Sequence, residues 1–167
     1  MTTKYNILVT GVAGFLGSHL SEKLLDLGHK VVGVDNMIGG YKDNIHKDIE
    51  FHNLDCSDFS KVKKIMKNID VVYHCAATAH EGLSVFSPYE ITKNNYLASV
   101  SIFSAAVNEK VKRIIFCSSM ARYGDQKTPF TEDMTPKPVD PYGISKVAAE
   151  DVLKNLCDLN NIEWVIA

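Results

Sequence analysis

The segment Ile7-Leu8-Val9-Thr10-Gly11-Val12-Ala13-Gly14-Phe15-Leu16-Gly17 decides the fold of this chain. It contains most of a short β-rich run, Asn6 to Thr10, that is typical of a strand, and a leucine-rich helical pattern follows its last glycine. Between them, Gly11 permits a tight turn, Gly14 lets the backbone approach a phosphate, and Gly17 lets the helix pack closely on the sheet. A glycine-rich turn in this context predicts a dinucleotide-binding unit.

An acidic residue stands where such a unit needs one. Asp35 ends the second predicted strand, 18 residues after Gly17, and is placed to accept hydrogen bonds from the ribose hydroxyls of adenosine. A carboxylate there would repel a 2′-phosphate, so NAD is favoured over NADP. The alternative is that the glycines only make turns and Asp35 only ends a strand. Strand, helix and acid in one register favour the dinucleotide interpretation.

Short β-rich runs alternate with longer helical patterns, which predicts a parallel sheet covered by helices on both faces. Six such runs are present: Asn6 to Thr10, Lys30 to Asp35, Glu50 to Leu54, Asp70 to Cys75, Arg113 to Ser118 and Glu163 to Ile166. We therefore predict an α/β fold with a Rossmann-type doubly wound parallel sheet in three α/β/α layers. Residues 1–167 are expected to form one domain.

Helix start and stop signals place the helices between these runs. Gly28 is placed to end the first helix, and the second follows Asp58. A cap residue followed by proline starts the third helix at Ser87-Pro88 and the last at Asp140-Pro141, which puts Tyr142 in the first turn of the last helix. The apolar stripe of the first helix is predicted to consist of Leu16, Leu20, Leu24 and Leu27.

Composition excludes several classes of function. The 167 residues carry a formal net charge of -2 with acids and bases interspersed, so nothing marks a nucleic-acid groove or an anionic membrane surface. No apolar run has the length of a membrane span, and no signal-peptide pattern is present, so a cytoplasmic location is expected. The widely spaced cysteines are interpreted as reduced core residues, and neither as a disulfide framework nor as a metal site: Cys56, Cys75, Cys117 and Cys157.

A phenol and an ammonium stand four residues apart near the C-terminus, at Tyr142 and Lys146, where one helix face carries both. A phenol with a pKa near 10 becomes a base at neutral pH only when that pKa falls by about 3 units, and a nearby cation supplies much of the effect. Ser119 lies 23 residues before Tyr142, at the end of the fifth predicted strand. Taken singly, each residue is more often structural; taken together behind a dinucleotide motif, they indicate catalysis.

With these residues the chain resembles the extended, nucleotide-sugar-modifying branch of the short-chain dehydrogenase/reductase superfamily. The resemblance covers the whole chain and rests on Gly11 to Gly17, Asp35-Asn36, Asp55, His74-Cys75-Ala76-Ala77, Ser118-Ser119 and Pro141-Tyr142-Gly143 with Ser145-Lys146. It implies an NAD-binding site formed by Gly11, Gly14, Phe15, Leu16, Gly17, Asp35, Asn36, Asp55, Cys56, Cys75, Ala76, Ala77, Asn95, Tyr142 and Lys146.

The resemblance also implies a mechanism and a substrate class. Tyr142 would remove the proton from a hydroxyl of a nucleotide sugar, Lys146 would lower the tyrosine pKa and hold the nicotinamide ribose, and Ser119 would orient the substrate oxygen. In the mechanism that the resemblance implies, a hydride would pass to NAD and return to the other face of a transient keto-sugar, which would give an epimer. Asn95 either serves the nicotinamide side or simply faces water.

The residues after Ser119 discriminate among the reactions of this branch. Dehydratases carry an Asp-Glu pair there, whereas this chain has Met120-Ala121. We therefore predict a nucleotide-sugar 4-epimerase. A sugar reductase, dehydrogenase or dehydratase of the same family and a non-catalytic NAD-binding module remain as alternatives. Arg122 either reaches a phosphate or points to solvent.

Extended family members continue for about as long again, through a domain that binds the sugar nucleotide. We expect that substrate domain to be absent from this chain, which is then either a fragment of a longer enzyme or a truncated product. The family resemblance also implies a homodimer formed through the helices at Ser87 to Asn108 and Pro141 to Leu159.

Overall fold

A six-stranded, all-parallel sheet forms the centre of the chain, with strand order β3-β2-β1-β4-β5-β6 in a computed structural model that describes residues 3–167. The strands are β1 (Asn6–Thr10), β2 (Lys30–Asp35), β3 (Glu50–Asn53), β4 (Val71–His74), β5 (Arg113–Phe116) and β6 (Glu163–Ile166). Leu8 of β1 lies opposite Val32 on one side and Val72 on the other. The strand order therefore reverses direction between β1 and β4, where α/β sheets of this type bind ligands.

Helices connect the strands: α1 (Phe15–Asp26), α2 (Phe59–Ile65), α3 (Pro88–Ile91), α4 (Ala98–Asn108) and α5 (Pro141–Asn160). A π-helical segment, Thr92–Leu97, joins α3 to α4. The carboxylates of Asp58 and Asp140 cap α2 and α5, and accept hydrogen bonds from the backbone N–H groups of Lys61 and Gly143. No helix within residues 3–167 is long and apolar enough to cross a membrane.

Alternating side chains of the strands fill two apolar layers, one on each face of the sheet. Leu8 points into the larger layer, which contains the buried faces of α2, α4 and α5. Val9 points into the smaller layer beneath α1. In the larger layer Phe103 and Phe116 pack edge to face with centroids 5.5 Å apart. The predicted Rossmann-type, three-layer architecture is confirmed.

Three predicted strands extend past their observed ends. β3 ends at Asn53, one residue early, while β4 spans Val71–His74 and β5 ends at Phe116. The residues assigned to strands at Cys75, Cys117 and Ser118 lie in the connections that leave the carboxyl edge of the sheet. Backbone hydrogen bonds to the neighbouring strands continue past these ends, from Leu54 to Asp35 and from Cys117 to His74, so the predicted and observed boundaries differ by only one or two residues.

The predicted leucine stripe of α1 is only half correct. Leu24 is buried and Leu20 packs against the same layer, but Leu16 and Leu27 are 53% and 55% exposed. Leu16 lies in the first turn beside an open cleft, and Leu27 follows the last turn. Gly28, with φ +82°, ends the helix as predicted, since its N–H donates to Leu25 and that of His29 to Leu24.

Candidate active site

The glycine-rich turn after β1 is packed too tightly for side chains. A Cβ on Gly17 would lie 2.1 Å from the carbonyl oxygen of Gly11, and one on Gly11 would lie 2.9 Å from the backbone of Ala76. Gly11 also has φ +70°, which favours glycine. Gly14 caps α1 without a side chain, so the first N–H groups of the helix are left for a ligand.

Asp35 stands at the carboxyl end of β2, buried beside this turn. One carboxylate oxygen accepts the N–H of Ala13 at 3.0 Å, and the other accepts that of Met37 at 2.8 Å. These bonds fix the carboxylate, and each oxygen keeps a lone pair for a further donor. Asp35 therefore links the glycine turn to the β2 end and remains able to accept hydrogen bonds from hydroxyls.

A cleft of about 330 Å³ opens at this edge of the sheet. Twelve of the residues predicted to bind the cofactor line it: Gly11, Gly14, Phe15, Leu16, Gly17, Asp35, Asn36, Asp55, Cys56, Cys75, Ala76 and Ala77. Nine other residues line it that the sequence did not assign to the cofactor: Ile38, Gly39, Gly40, Leu54, Thr78, Ala79, His80, Asn94 and Ala98. Most of these directly follow the ends of β2, β3 and β4, so proximity to a strand end was the signal that could have found them.

Asp55 lies on the β3 side of the cleft. Its carboxylate accepts the N–H and hydroxyl of Ser57, both at 2.8 Å, and pairs with the Lys93 ammonium at 3.2 Å. Burial by itself would raise the pKa of Asp55, but these partners hold it below its ordinary value. The side chain is a fixed anion at neutral pH.

Asn95 is buried and does not line the cleft. Its side-chain oxygen accepts the N–H of Thr78 at 2.7 Å, and its amide nitrogen donates to the Thr78 carbonyl at 3.3 Å. The expectation that it simply faces water is wrong. Asn95 belongs to the π-helical segment, and its side chain instead holds the segment after β4 against that turn.

A chain of hydrogen bonds connects this segment to β1. The Ser99 hydroxyl donates its hydrogen to the carbonyl of Asn95, so it accepts a hydrogen bond from Nε2 of His74. With its proton on Nε2, the His74 ring accepts a hydrogen bond from the Thr10 hydroxyl at Nδ1. The Thr10 hydroxyl also accepts the N–H of Ala76 at 3.1 Å. Burial, with a smaller contribution from a nearby lysine, lowers the pKa of His74 to about 3, so its ring is neutral. The network fixes the two strand ends that border the cleft.

Lys146 brings a buried cation to the end of β5. Only 3% exposed, it donates to the carbonyl of Cys117 at 2.8 Å. Its ammonium lies 4.8 Å from the ring centre of Phe116 and 5.9 Å from that of Tyr142. Burial lowers the pKa of Lys146 to about 8, so the side chain is mostly protonated at neutral pH. Tyr142 and Lys146 thus share one face of α5, as the spacing predicted.

Ser119 reaches the same place through the 3₁₀ turn Met120–Tyr123. Its hydroxyl accepts the N–H of Ala121 at 3.2 Å, and Ala121 packs with the Tyr142 side chain in a small apolar cluster. A Cβ on Gly143 would lie 2.7 Å from the Ala121 carbonyl, so this turn sits directly on the first turn of α5.

Glu150, which the sequence reasoning missed, fixes the connection after β5 from the next turn of α5. It is fully buried, accepts the Ser118 hydroxyl, and pairs with Arg122 at 3.0 Å. The interpretation of Arg122 as a solvated side chain is therefore wrong, and its contact with a phosphate stays a prediction. The four-residue spacing of Tyr142, Lys146 and Glu150 was the signal in the sequence.

Residues 7–167 match the family described as NAD dependent epimerase/dehydratase. The chain is 34% identical over 171 residues to a UDP-glucose 4-epimerase of Bacillus subtilis, covering 96% of this chain and 50% of that protein. Two solved structures superpose with a TM-score of 0.92 at 32% identity: UDP-glucose 4-epimerase of Thermotoga maritima with UDP-glucose, and that of Thermus thermophilus with NAD. Each covers 96% of this chain, which covers 54% and 53% of theirs. The chain thus spans about half the length of the relatives it matches.

Proposed function

Since the chain belongs to the NAD-dependent epimerase/dehydratase family, we propose that residues 1–167 form the cofactor-binding domain, with the catalytic side chains, of a nucleotide-sugar 4-epimerase. One observation carries this proposal. Tyr142 and Lys146 share one face of α5, and the turn that follows Ser119 packs against the first turn of that helix. They lie at the same edge of the sheet as the glycine-lined cleft.

The residues that line the cleft support binding of NAD. A pyrophosphate would lie against Gly11, Gly14 and the N-terminus of α1, where any Cβ would obstruct the backbone's approach. Asp35 would accept hydrogen bonds from the adenosine ribose, and its negative charge would disfavour a 2′-phosphate. Bound NAD supplies reversible hydride transfer to and from the sugar carbon.

The residues of the chain would handle the proton and the substrate oxygen. Tyr142 would take the proton of the sugar hydroxyl, and the Lys146 ammonium beside its ring would stabilise the phenolate electrostatically. Ser119, held in place by Ala121, would donate a hydrogen bond to the same oxygen. When the keto-sugar is reduced on its other face, Tyr142 would return the proton.

An epimerase fits better than a dehydratase because the Ser119 turn offers no second acid. Met120 is exposed and Ala121 is buried, and neither side chain can move a proton. Elimination of water needs such a group beside the reacting carbons. The names of the relatives support the same choice, and UDP-hexoses are the proposed substrates.

The test is to incubate the full-length protein that carries this sequence with UDP-glucose and with UDP-galactose and to separate the products. We expect each sugar to be converted into the other without net consumption of NAD. Tyr142→Phe should abolish conversion and leave NAD affinity nearly unchanged. Tyr89→Phe, an exposed tyrosine on α3, is the matched control and should keep full activity.

Two outcomes would contradict the proposal. Absence of epimerisation of any nucleotide sugar, with NAD demonstrably bound, would favour a non-catalytic NAD-binding module. Net accumulation of NADH with an oxidised sugar would favour a dehydrogenase. The homodimer and the cytoplasmic location stay predictions, and sedimentation of the purified protein checks the first of them.

A further inference from the structure

Two cysteines meet at the edge of the sheet that carries the active site. Cys75 and Cys117 each follow a strand end directly, and because His74 pairs with Phe116 they are neighbours across β4 and β5. Their sulfur atoms lie 3.6 Å apart, in hydrogen-bond contact, and both thiols are free and half-buried. The expectation that they are core residues like Cys56 and Cys157 is wrong for this pair.

The surroundings make the two sulfur atoms unequal. The hydrogen bond between the two sulfur atoms lowers the pKa of Cys117 to about 7; burial opposes this, and the Lys146 ammonium adds to it. The same contact and burial raise the pKa of Cys75. Of the two, Cys117 is therefore the thiol that ionises more readily, and Cys75 stays protonated beside it.

The other two cysteines lack these properties. Burial raises the pKa of Cys56 to about 12 and that of Cys157 to about 11, so both stay protonated. Cys75 lines the cleft, which gives a small reagent a route to the pair. Reactivity is thus expected at Cys117 and its neighbour.

The strand spacing allows a bond between them. Adjacent strands lie about 4.8 Å apart, within the range of about 4.4–6.8 Å between the Cα atoms of a disulfide. The sulfur atoms, now 3.6 Å apart, would approach each other by about 1.5 Å to reach the disulfide distance of about 2.05 Å. Small movements of the two strand ends suffice.

We propose that Cys75 and Cys117 are an oxidation site at which hydrogen peroxide forms a reversible disulfide that weakens binding at the cleft. The Cys117 thiolate attacks the peroxide O–O bond, which yields a sulfenic acid and, after protonation, water. The Cys75 thiol then displaces water from that sulfenic acid to form the disulfide. One peroxide is reduced, two thiols are oxidised, and two waters leave.

The disulfide disturbs the cleft because Cys75 adjoins Ala76, whose backbone leaves no room for a Cβ on Gly11. Pulling Cys75 toward Cys117 moves Ala76 away from the glycine turn and changes the phosphate cradle. It also shifts the Cys117 carbonyl that accepts the Lys146 ammonium. The effect on the cofactor rests on the proposed function; formation of the bond does not.

The experiment uses the purified chain, first reduced and then treated with hydrogen peroxide. We expect free thiols to fall from four to two, with a mass loss of two hydrogen atoms and a peptide that joins Cys75 to Cys117. Cys75→Ser and Cys117→Ser should each prevent this crosslink. Cys157→Ser, the matched control, should still form it. NAD affinity of the oxidised chain should fall about tenfold, and dithiothreitol should restore it.

Each other outcome has a defined meaning. Unchanged thiol counts, pairing with Cys56 or Cys157, or a sulfinic acid on Cys117 without a crosslink would overturn the oxidation site. A mapped crosslink with unchanged NAD affinity would overturn its effect on the cleft. If even the reduced chain fails to bind NAD, the proposed cofactor function fails, while the mapped crosslink still establishes the modification.

Discussion

Replacing Lys146 by methionine should stabilise the apo chain while removing a residue proposed to be catalytic. Burial lowers the lysine pKa from 10.5 to about 8, and each pKa unit corresponds to about 1.4 kcal/mol. Holding the ammonium in this site therefore costs about 3 kcal/mol at neutral pH. Methionine keeps the apolar stem but loses the hydrogen bond to Cys117, worth about 1 kcal/mol. The expected net gain is about 2 kcal/mol in the free energy of unfolding.

The gain should depend on pH with a defined sign. The folded-state pKa of Lys146 lies below its unfolded value, so between about pH 8 and 10.5 the unfolded wild-type chain binds one more proton than the folded chain. Wild-type stability therefore rises with pH in this window relative to the variant. The advantage of Lys146→Met is complete below pH 8 and disappears as pH approaches 10.5.

Urea unfolding of both apo chains from pH 7 to pH 10 measures this difference and cancels the titrating groups that do not interact with Lys146. Lys154→Met is the matched control, since Lys154 lies two turns further along α5, is more exposed, and contacts carboxylates only at 3.8 Å. It should change stability by less than about 1 kcal/mol, with no change in pH slope. A Lys146→Met chain that is less stable than wild type at pH 7, or parallel pH profiles, would refute the reasoning.

Three further predictions follow from the packing. Gly17→Ala should cost about 3 kcal/mol in chemical unfolding and abolish NAD binding, because its Cβ meets a carbonyl, whereas Gly82→Ala has open space and should be neutral. Asp35→Asn removes a negative charge, so it should lower the affinity for NAD about tenfold. The ratio of the affinities for NAD and NADP, measured by calorimetric titration, should also fall. Glu150→Ala should cost about 3 kcal/mol by leaving Arg122 unpaired in a mostly buried site; the double variant with Arg122→Met should cost less than the single one.

Local chemistry made much of the fold predictable from the sequence. Asp58 and Asp140 each cap the helix that directly follows them in the sequence. The glycine turn could be predicted from its own residues and from the strand and helix beside it. The β-rich runs then fixed six parallel strands in place to within one or two residues. Twelve cleft residues were found because they belong to motifs or directly follow strands.

The rest depends on packing between distant segments. The inward orientation of Asn95 comes from a π-helical turn, and no residue pattern in the sequence predicts that turn. Arg122 has its partner on α5, and Glu150 contacts two residues of another connection. The contact between Cys75 and Cys117 needs the β4 to β5 register. A sequence read one segment at a time does not contain these relations.

The order of the strands has a consequence for how the chain folds. Thr10 pairs with His74 across 64 residues, and Cys75 meets Cys117 across 42. Long loops must close before either pairing gains any contact, so such topologies fold slowly. The parts of the site come together only when both closures are complete. During refolding, binding of a ligand at the cleft would therefore be detected only after the last strands of the sheet have paired. An early collapse of the chain would not change the binding signal.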